Sequence, residues 1–360
     1  MKTGNKEKQD KWFTDARIVF FLATICCFLW GSATPAIKSG YALFHIDTAD
    51  TESIILFAGL RFFLAGLLVL LFRWLSAEKT AAGKCRKVRS PGTAMLQGQT
   101  AESLSRGDSG KSESSRKIRS LRDFLFTVFQ LCLCQTVLQY YFYYRGLANT
   151  SGVHGAIITG TGVFIAMLMA SFLFHYEHMT ARKVLGCILG FFGILMMNLG
   201  GADGERFFQI SLTGEGFVFV SQCFYALSSA VIKQFSKKYD VVLLSGSQFT
   251  LGGALLILTG ILSGGRISVS SLTGSALLLL FYLALISAVA YTLWGVLLKH
   301  NPVSRVAVFG FMTPIFGVLL SAVFLGESGQ AFRINSLLAL LLVSIGIYVV
   351  NAAPGKQKRK

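Results

Sequence analysis

The chain has 360 residues, 53% of them hydrophobic and only 14% charged, with a formal net charge of +17. A soluble domain of this length would be about a quarter charged, so an ordinary water-soluble fold is excluded. The apolar residues instead fall in blocks of roughly 20, the length a helix needs to cross a ~30 Å hydrocarbon core.

In chain order, residues 1–16 form a polar, basic N-terminus, and the first apolar block covers about 17–40. Its end reads FLWGSATPAIK (28–38), which sets Trp30, Thr34, Pro35 and Lys38 on one helix, a helix-breaker three residues from a charge. The block is too long for a signal peptide and lacks a small-residue cleavage site, so it is expected to remain as a helix. Pro35 removes one backbone hydrogen bond and frees a carbonyl. It marks either a kinkable gate or a bend in a packed helix. The second block, 52–75, carries Arg61 nine residues after Glu52, hence ~13 Å into the membrane. This is the deepest charge in the chain, and burial demands a partner for it. Backbone carbonyls, such as those freed by Pro35, and the carboxylate of a bound solute are the two alternatives. Residues 76–122 (KCRKVRSPG, then SRGDSGKSESSRKIRS) have too few apolar side chains to offset their ordering entropy and are expected to form a disordered cytoplasmic loop. A spacer role for it stands beside a membrane-surface contact. Eight further blocks follow at 123–145, 152–175, 183–201, 214–236, 241–263, 274–298, 303–326 and 334–353, then a basic tail at 354–360.

Ten apolar blocks predict an all-α membrane protein with ten transmembrane helices, because in lipid a helix satisfies its own backbone. A membrane β-barrel would show ~10-residue alternating segments, which are absent. With the N-terminus cytoplasmic, all of the 34 Lys and Arg except Lys38, Arg61, Arg145, Arg206, Arg266 and Arg333 fall on the inner side. That bias predicts a multi-pass protein of the cytoplasmic membrane with both termini inside. It also accounts for the positive charge without nucleic acid as a partner.

The blocks repeat. CFYALSSAVIK (223–233) echoes FLWGSATPAIK, pairing Trp30 with Tyr225, Thr34 with Ser229 and Lys38 with Lys233 at an offset of 195. LRFFLAGLLVLL (60–71) matches SQFTLGGALLIL (247–258) at 187, which pairs Arg61 with Gln248, and GILMMN (193–198) matches GIYVVN (346–351) at 153. The offset drops where the first half carries its long loop. The chain is therefore expected to be one five-helix unit duplicated, as 17–201 and 214–353. An odd number of helices turns the second copy upside down, the pattern of secondary transporters that hold solute between inverted repeats.

Polar residues inside the blocks are the site candidates. Gln135, Gln139 and Tyr143 lie on one face of the third helix, and Ser287, Tyr291 and Trp294 on one face of the eighth. Cavity lining and interhelical hydrogen bonding are both open to them. His154 sits near the start of the fourth helix, as a packing residue or a path residue. No Asp or Glu lies at mid-depth, which argues against a carboxylate proton relay. Six of the seven cysteines lie in apolar helices and read as packing residues. No P-loop, HExxH or clustered Cys/His metal pattern occurs, so no catalytic residue, metal or cofactor is expected. An intramembrane enzyme, a lipid-handling protein and a channel-like facilitator are the competing classes; oligomeric state is not readable.

WGSATPAIK, the following LRFFLAG, MTPIFGVLLSAVFLGE (312–327) and the two-fold repeat resemble the EamA-type transporters of the drug/metabolite transporter superfamily. The resemblance covers nearly the whole chain outside 76–122. It implies a ten-helix inner-membrane carrier, in a family with many exporters of amino acids and other small metabolites. It further implies a solute path between helices 1, 3 and 4 of one half and 6, 8 and 9 of the other. Two departures stand out: FHYEHM replaces the second half's FLGESG, and Pro314, a kink candidate, has no proline counterpart at Val163 or Phe164.

Overall fold

The computed structural model describes residues 12–88, 109–198 except Glu177, 211–331 except Glu327, and single positions between 334 and 349. Among the described residues, nine long helices follow in order, before a short helical turn at Ser328–Ala331. They are α1 (Ala16–Leu43) and α2 (Thr51–Val88); α3, built from Ser109–Cys132, a π-turn at Leu133–Leu138 and Gln139–Ala148; and α4, built from Gly152–Thr159, Thr161–Leu168 and a π-turn at Met169–Leu173. Then come α5 (Ala181–Asn198); α6, a π-turn at Leu212–Gly216 with Phe217–Phe235; α7 (Val241–Leu262); and α8 (Gly274–His300). The last is α9, in three pieces at Val303–Ala307, Val308–Phe311 and Met312–Phe324. Among the described residues, eight helical spans are long and apolar enough to cross a bilayer. The expected tenth helix (334–353) and the GIYVVN half of the third repeat match lie mostly outside the described residues, as do Arg206, Arg333, residues 1–11 and the 354–360 tail.

Helix starts follow local chemistry. Asp15 accepts from the N–H of Arg17 (2.9 Å), Asp240 from Leu243 (2.9 Å) and Thr273 from Ala276 (3.3 Å), each satisfying a donor that the first turn leaves over. α1 and α4 end on His45 and His175, both at positive φ (51° and 50°), the left-handed stop that usually takes glycine. The basic stretch expected to be disordered begins as helix: α2 runs to Val88 and α3 starts at Ser109. Ala, Glu, Lys and Arg in SAEKTAAGKCRKV are good helix formers and need only extend a helix already nucleated. The remainder of that loop, 89–108, lies outside the described residues.

The two halves meet along α2 and α7, and their contacts are reciprocal. A Cβ placed on Gly66 would lie 2.4 Å from the backbone N of Thr250, and one on Gly253 would lie 2.2 Å from the backbone N of Phe63. Likewise Gly59 abuts Ile257 and Gly246 abuts Leu70. As numbers rise along α2 they fall along α7, so these second helices of the two copies run antiparallel and one copy is inverted relative to the other. Moreover, the sequence match that pairs Phe63 with Thr250 and Gly66 with Gly253 makes the first two contacts two-fold equivalents. Small residues let the backbones approach this closely, the usual device for helix packing in lipid.

Beside a small cluster of Ala65, Val69, Ala284 and Ala288, the core holds two large apolar clusters stacked along the bundle. One contains Cys26, Cys27, Ala226, Leu244, Leu297 and Val306, the other Ile37, Phe57, Tyr144, Val218, Phe249 and Leu283, and Trp30 packs against both. Outward-facing residues such as Phe21, Phe72, Phe126, Phe172, Leu262 and Phe324 are exposed, as a lipid-facing surface requires.

Candidate functional site

At the level of Trp30 a cavity of about 60 Å³ opens between the halves. Trp30, Ala33 and Ile37 face it from α1, spaced so that one helix face supplies all three. Arg61 enters from α2, Gln139, Tyr140 and Tyr143 from α3, and Thr159 and Val163 from α4. The second half supplies Gln222 and Tyr225 from α6, Tyr291 from α8, and Gly310 and Thr313 from α9.

Irregular backbone surrounds this level. α4 breaks at Gly160, between its first two pieces, and its counterpart α9 breaks at the 3-10 turn Val308–Phe311. Thr159 and Val163 flank the first break; Gly310 lies within the second and Thr313 just after it. Interrupted helices at corresponding positions of two repeats are the strongest backbone pointer to a solute site. Pro314 is the third residue of the last piece of α9, where a proline's missing N–H costs nothing, so the interruption lies before it. Pro35, by contrast, lies inside an α1 that continues through it. The π-turn of α3 ends one residue before Gln139 and re-aims the side chains that follow it.

Arg61 is 1% exposed. Its Nε donates to the Leu283 carbonyl (3.1 Å) and to Ser287 Oγ (3.0 Å), and its Nη1 to the Tyr144 hydroxyl (2.8 Å). The guanidinium carbon lies 5.0 Å from the Phe62 ring centre and 5.9 Å from that of Tyr140, within cation–π range. The carbonyls freed by Pro35 are not among its partners. Arg61 therefore links α2 to α3 and α8. Its counterpart Gln248 makes the matching link on α7, donating to Gln135 Oε1 (3.1 Å) and accepting from Thr136 Oγ1 (2.6 Å). Between these layers Gln139 Nε2 donates to the Tyr291 hydroxyl (3.2 Å), which also touches the hydroxyl of Tyr140. Three polar layers thus cross the bundle, cationic at one end and neutral at the other.

The sequence candidates divide accordingly. Trp30, Arg61, Gln139, Tyr143, Tyr225 and Tyr291 line the cavity; Thr34, Lys38, Gln135, His154, Ser229 and Trp294 do not figure among its described lining residues. Thr34 holds the Tyr143 hydroxyl at 3.1 Å, Ser229 bonds the Tyr225 carbonyl at 3.0 Å, and Trp294 packs 4.9 Å from Trp30. Lys38 donates to the Thr150 carbonyl just past α3 (2.8 Å), and Lys233 to Leu298 and Asn301 at the end of α8 (3.1 and 2.5 Å). Each repeat lysine so neutralises the negative end of the third helix of its own half. His154 lies at the exposed Lys38 end, 3.4 Å from Glu215, whose carboxylate also accepts from Thr150 Oγ1 at 2.7 Å.

Tyr140, Thr159, Gln222 and Thr313 escaped the sequence reading. Gln222 had a signal, an amide inside an apolar block. So did the GTG run at 160–162: a Cβ on Gly162 would lie 2.6 Å from Gln222 Oε1. Tyr140 stood within a run of tyrosines that could equally have formed an interfacial belt.

A family model described as the EamA-like transporter family matches residues 111–199 and again 212–352. The chain belongs to the EamA-like transporter family. Among its relatives, the uncharacterized transporter YvbV of Bacillus subtilis is 26% identical over 208 residues, 58% of this chain and 65% of that protein. A chloroplastic WAT1-related protein of Arabidopsis thaliana is 23% identical over 217 residues, 59% of this chain but only 51% of its own length. An uncharacterized transporter of Archaeoglobus fulgidus is 24% identical over 222 residues, covering 62% and 74%. A solved crystal structure matches 93% of this chain and 96% of its own at TM-score 0.58 and 18% identity, a likeness of fold alone. This EamA-like chain is an all-helical, multi-pass membrane protein of two inverted repeats.

Proposed function

We propose that this protein is a secondary transporter that carries a small organic metabolite, an amino acid or related compound, across the cytoplasmic membrane by alternating access between its halves. The observation that carries the reading is the cavity near the middle of the helices, lined from both repeats and flanked by the paired breaks in α4 and α9. About 60 Å³ is roughly four times the space one ordered water requires, which suits a compact solute. Trp30, Arg61, Gln139, Tyr143, Tyr225 and Tyr291 form the path in this reading. Thr34, Gln135, Ser229 and Trp294 support it, and Lys38 and His154 close its Lys38 end. The five-helix units are 17–201 and 214–353, with both termini and the 76–122 segment cytoplasmic on the strength of the positive-inside bias. The outward direction rests on the resemblance to metabolite exporters.

Two measurements test this. Gln139→Cys and Tyr291→Cys, in a background lacking the seven native cysteines, should react with a small polar thiol reagent, and a transported solute should protect them. Inertness of both would turn these faces into packing contacts. Uptake of labelled amino acids and metabolites into right-side-out and inside-out vesicles then identifies solute and direction; no movement of any of them in either orientation would overturn the transport reading.

A further inference from the structure

A buried charge in lipid is normally neutralised by a carboxylate or by water. The ion pairs Arg73–Asp240, His154–Glu215 and Lys238–Asp123 lie at the ends of the apolar, membrane-spanning stretches, and among the described residues none reaches Arg61. The hydrogen bonds of Arg61 occupy Nε and Nη1 and leave Nη2 without a partner among the described residues. All three acceptors are neutral, so they orient the guanidinium without cancelling its charge. The cavity that Arg61 lines therefore carries an uncompensated positive potential in a low-dielectric setting, where such a field is strong.

Two further lining residues present buried polar atoms with no hydrogen-bond partner among the described residues: Trp30 Nε1, a donor, and Gln139 Oε1, an acceptor. Buried polar atoms are nearly always satisfied, and unsatisfied ones need a cause. A ligand supplies one. A guanidinium edge and an indole N–H favour an oxyanion, and planar carboxylate suits the guanidinium fork. The Gln139 carbonyl calls for a donor on the same ligand, which an inorganic anion made only of acceptors lacks. We infer that the cavity is built for a short organic carboxylate that also bears a hydroxyl or ammonium donor, with Arg61 as the specificity-determining residue. This deepens the transport reading above and rests on it. Because Gln248 holds the equivalent position on α7, the anion is drawn to the Arg61 side of the central layer only.

The test uses full-length protein purified in detergent, with L-lactate and L-alanine as probes against their uncharged amides, lactamide and alaninamide, by calorimetric titration. The parent should bind the carboxylates roughly 10- to 100-fold more tightly than the amides, the range for a charge-assisted hydrogen bond. Arg61→Gln, which keeps donors and removes charge, should erase that preference, and Arg61→Lys should retain part of it. Trp30→Phe should weaken the carboxylates roughly 10-fold and leave the amides nearly unchanged. A parent that binds both kinds equally, or neither, overturns the inference, and that result does not depend on any variant folding. So does a folded Arg61→Gln protein that still prefers carboxylates. If the cysteines at positions 139 and 291 react but carboxylates fail to protect them, the solute class is wrong while the path stands; if they do not react, the path itself falls.

Discussion

Gly253→Ala places one methyl group where α7 crosses α2. The new Cβ would lie 2.2 Å from the Phe63 nitrogen, 2.6 Å from its Cα and 2.8 Å from the Phe62 carbonyl carbon. All three are backbone atoms, so no side-chain rotation relieves the clash. Ordinary contact begins at 3.4 Å, and the helices must part locally by roughly 1.2 Å, which overpacked sites answer with a loss of about 1–3 kcal/mol. Dispersion along the seam falls steeply over such a gap, and Arg61, one residue from Phe62, is pulled from its contacts with α8. In a domain of 150–250 residues each kcal/mol moves the melting midpoint by ~2–4 °C, so a fall of several degrees is expected. The assay is thermal unfolding in detergent, followed by the loss of the monodisperse peak. Gly274→Ala, whose added Cβ meets nothing within 4 Å, is the control and should melt like the parent. If Gly253→Ala also melts within a degree of the parent, the seam is looser than described and the reasoning fails.

Lys233→Met and Lys38→Met should each cost about 1–2 kcal/mol by uncapping α8 and α3, visible in the same melting assay; variants that melt like the parent would contradict the capping account. Gln248→Leu leaves Thr136 Oγ1 and Gln135 Oε1 without their partner inside the bundle, and about 1–3 kcal/mol should be lost. A Gln248→Leu protein as stable as the parent would show that this layer contributes nothing to the fold.

The sequence match between 60–71 and 247–258 already carried the register of the α2–α7 seam, because equivalent residues of an antiparallel pair must meet reciprocally. Counting from Glu52 likewise set Arg61 well inside its helix, since rise per residue is fixed. Depth is not direction, however. Which way Lys38 and His154 point around their helices depends on packing with α3 and α6, distant in sequence, and so the bond of Lys38 to the Thr150 carbonyl and the pairing of His154 with Glu215 were not legible in the sequence. The partners of Arg61 escaped for the same reason: Tyr144 and Leu283 are apolar-looking members of remote blocks. The break in α4 had only glycine to announce it, and glycine in a membrane helix is more often a packing residue. No residue type marks the π-turn in α3.

The reciprocal glycine contacts also limit how the bundle can move. Gly59 and Leu70 are eleven residues apart, ~16 Å of helix, and each end of that stretch is already pressed against α7. Any tilt that opened one end would drive the other into contact, and neither end has slack to give. The pair therefore acts as a strut, the fixed frame against which displacement is measured. In the proposed alternating-access cycle, movement would fall to the helices around it, foremost α4 and α9, whose backbones are already divided at the level of the cavity.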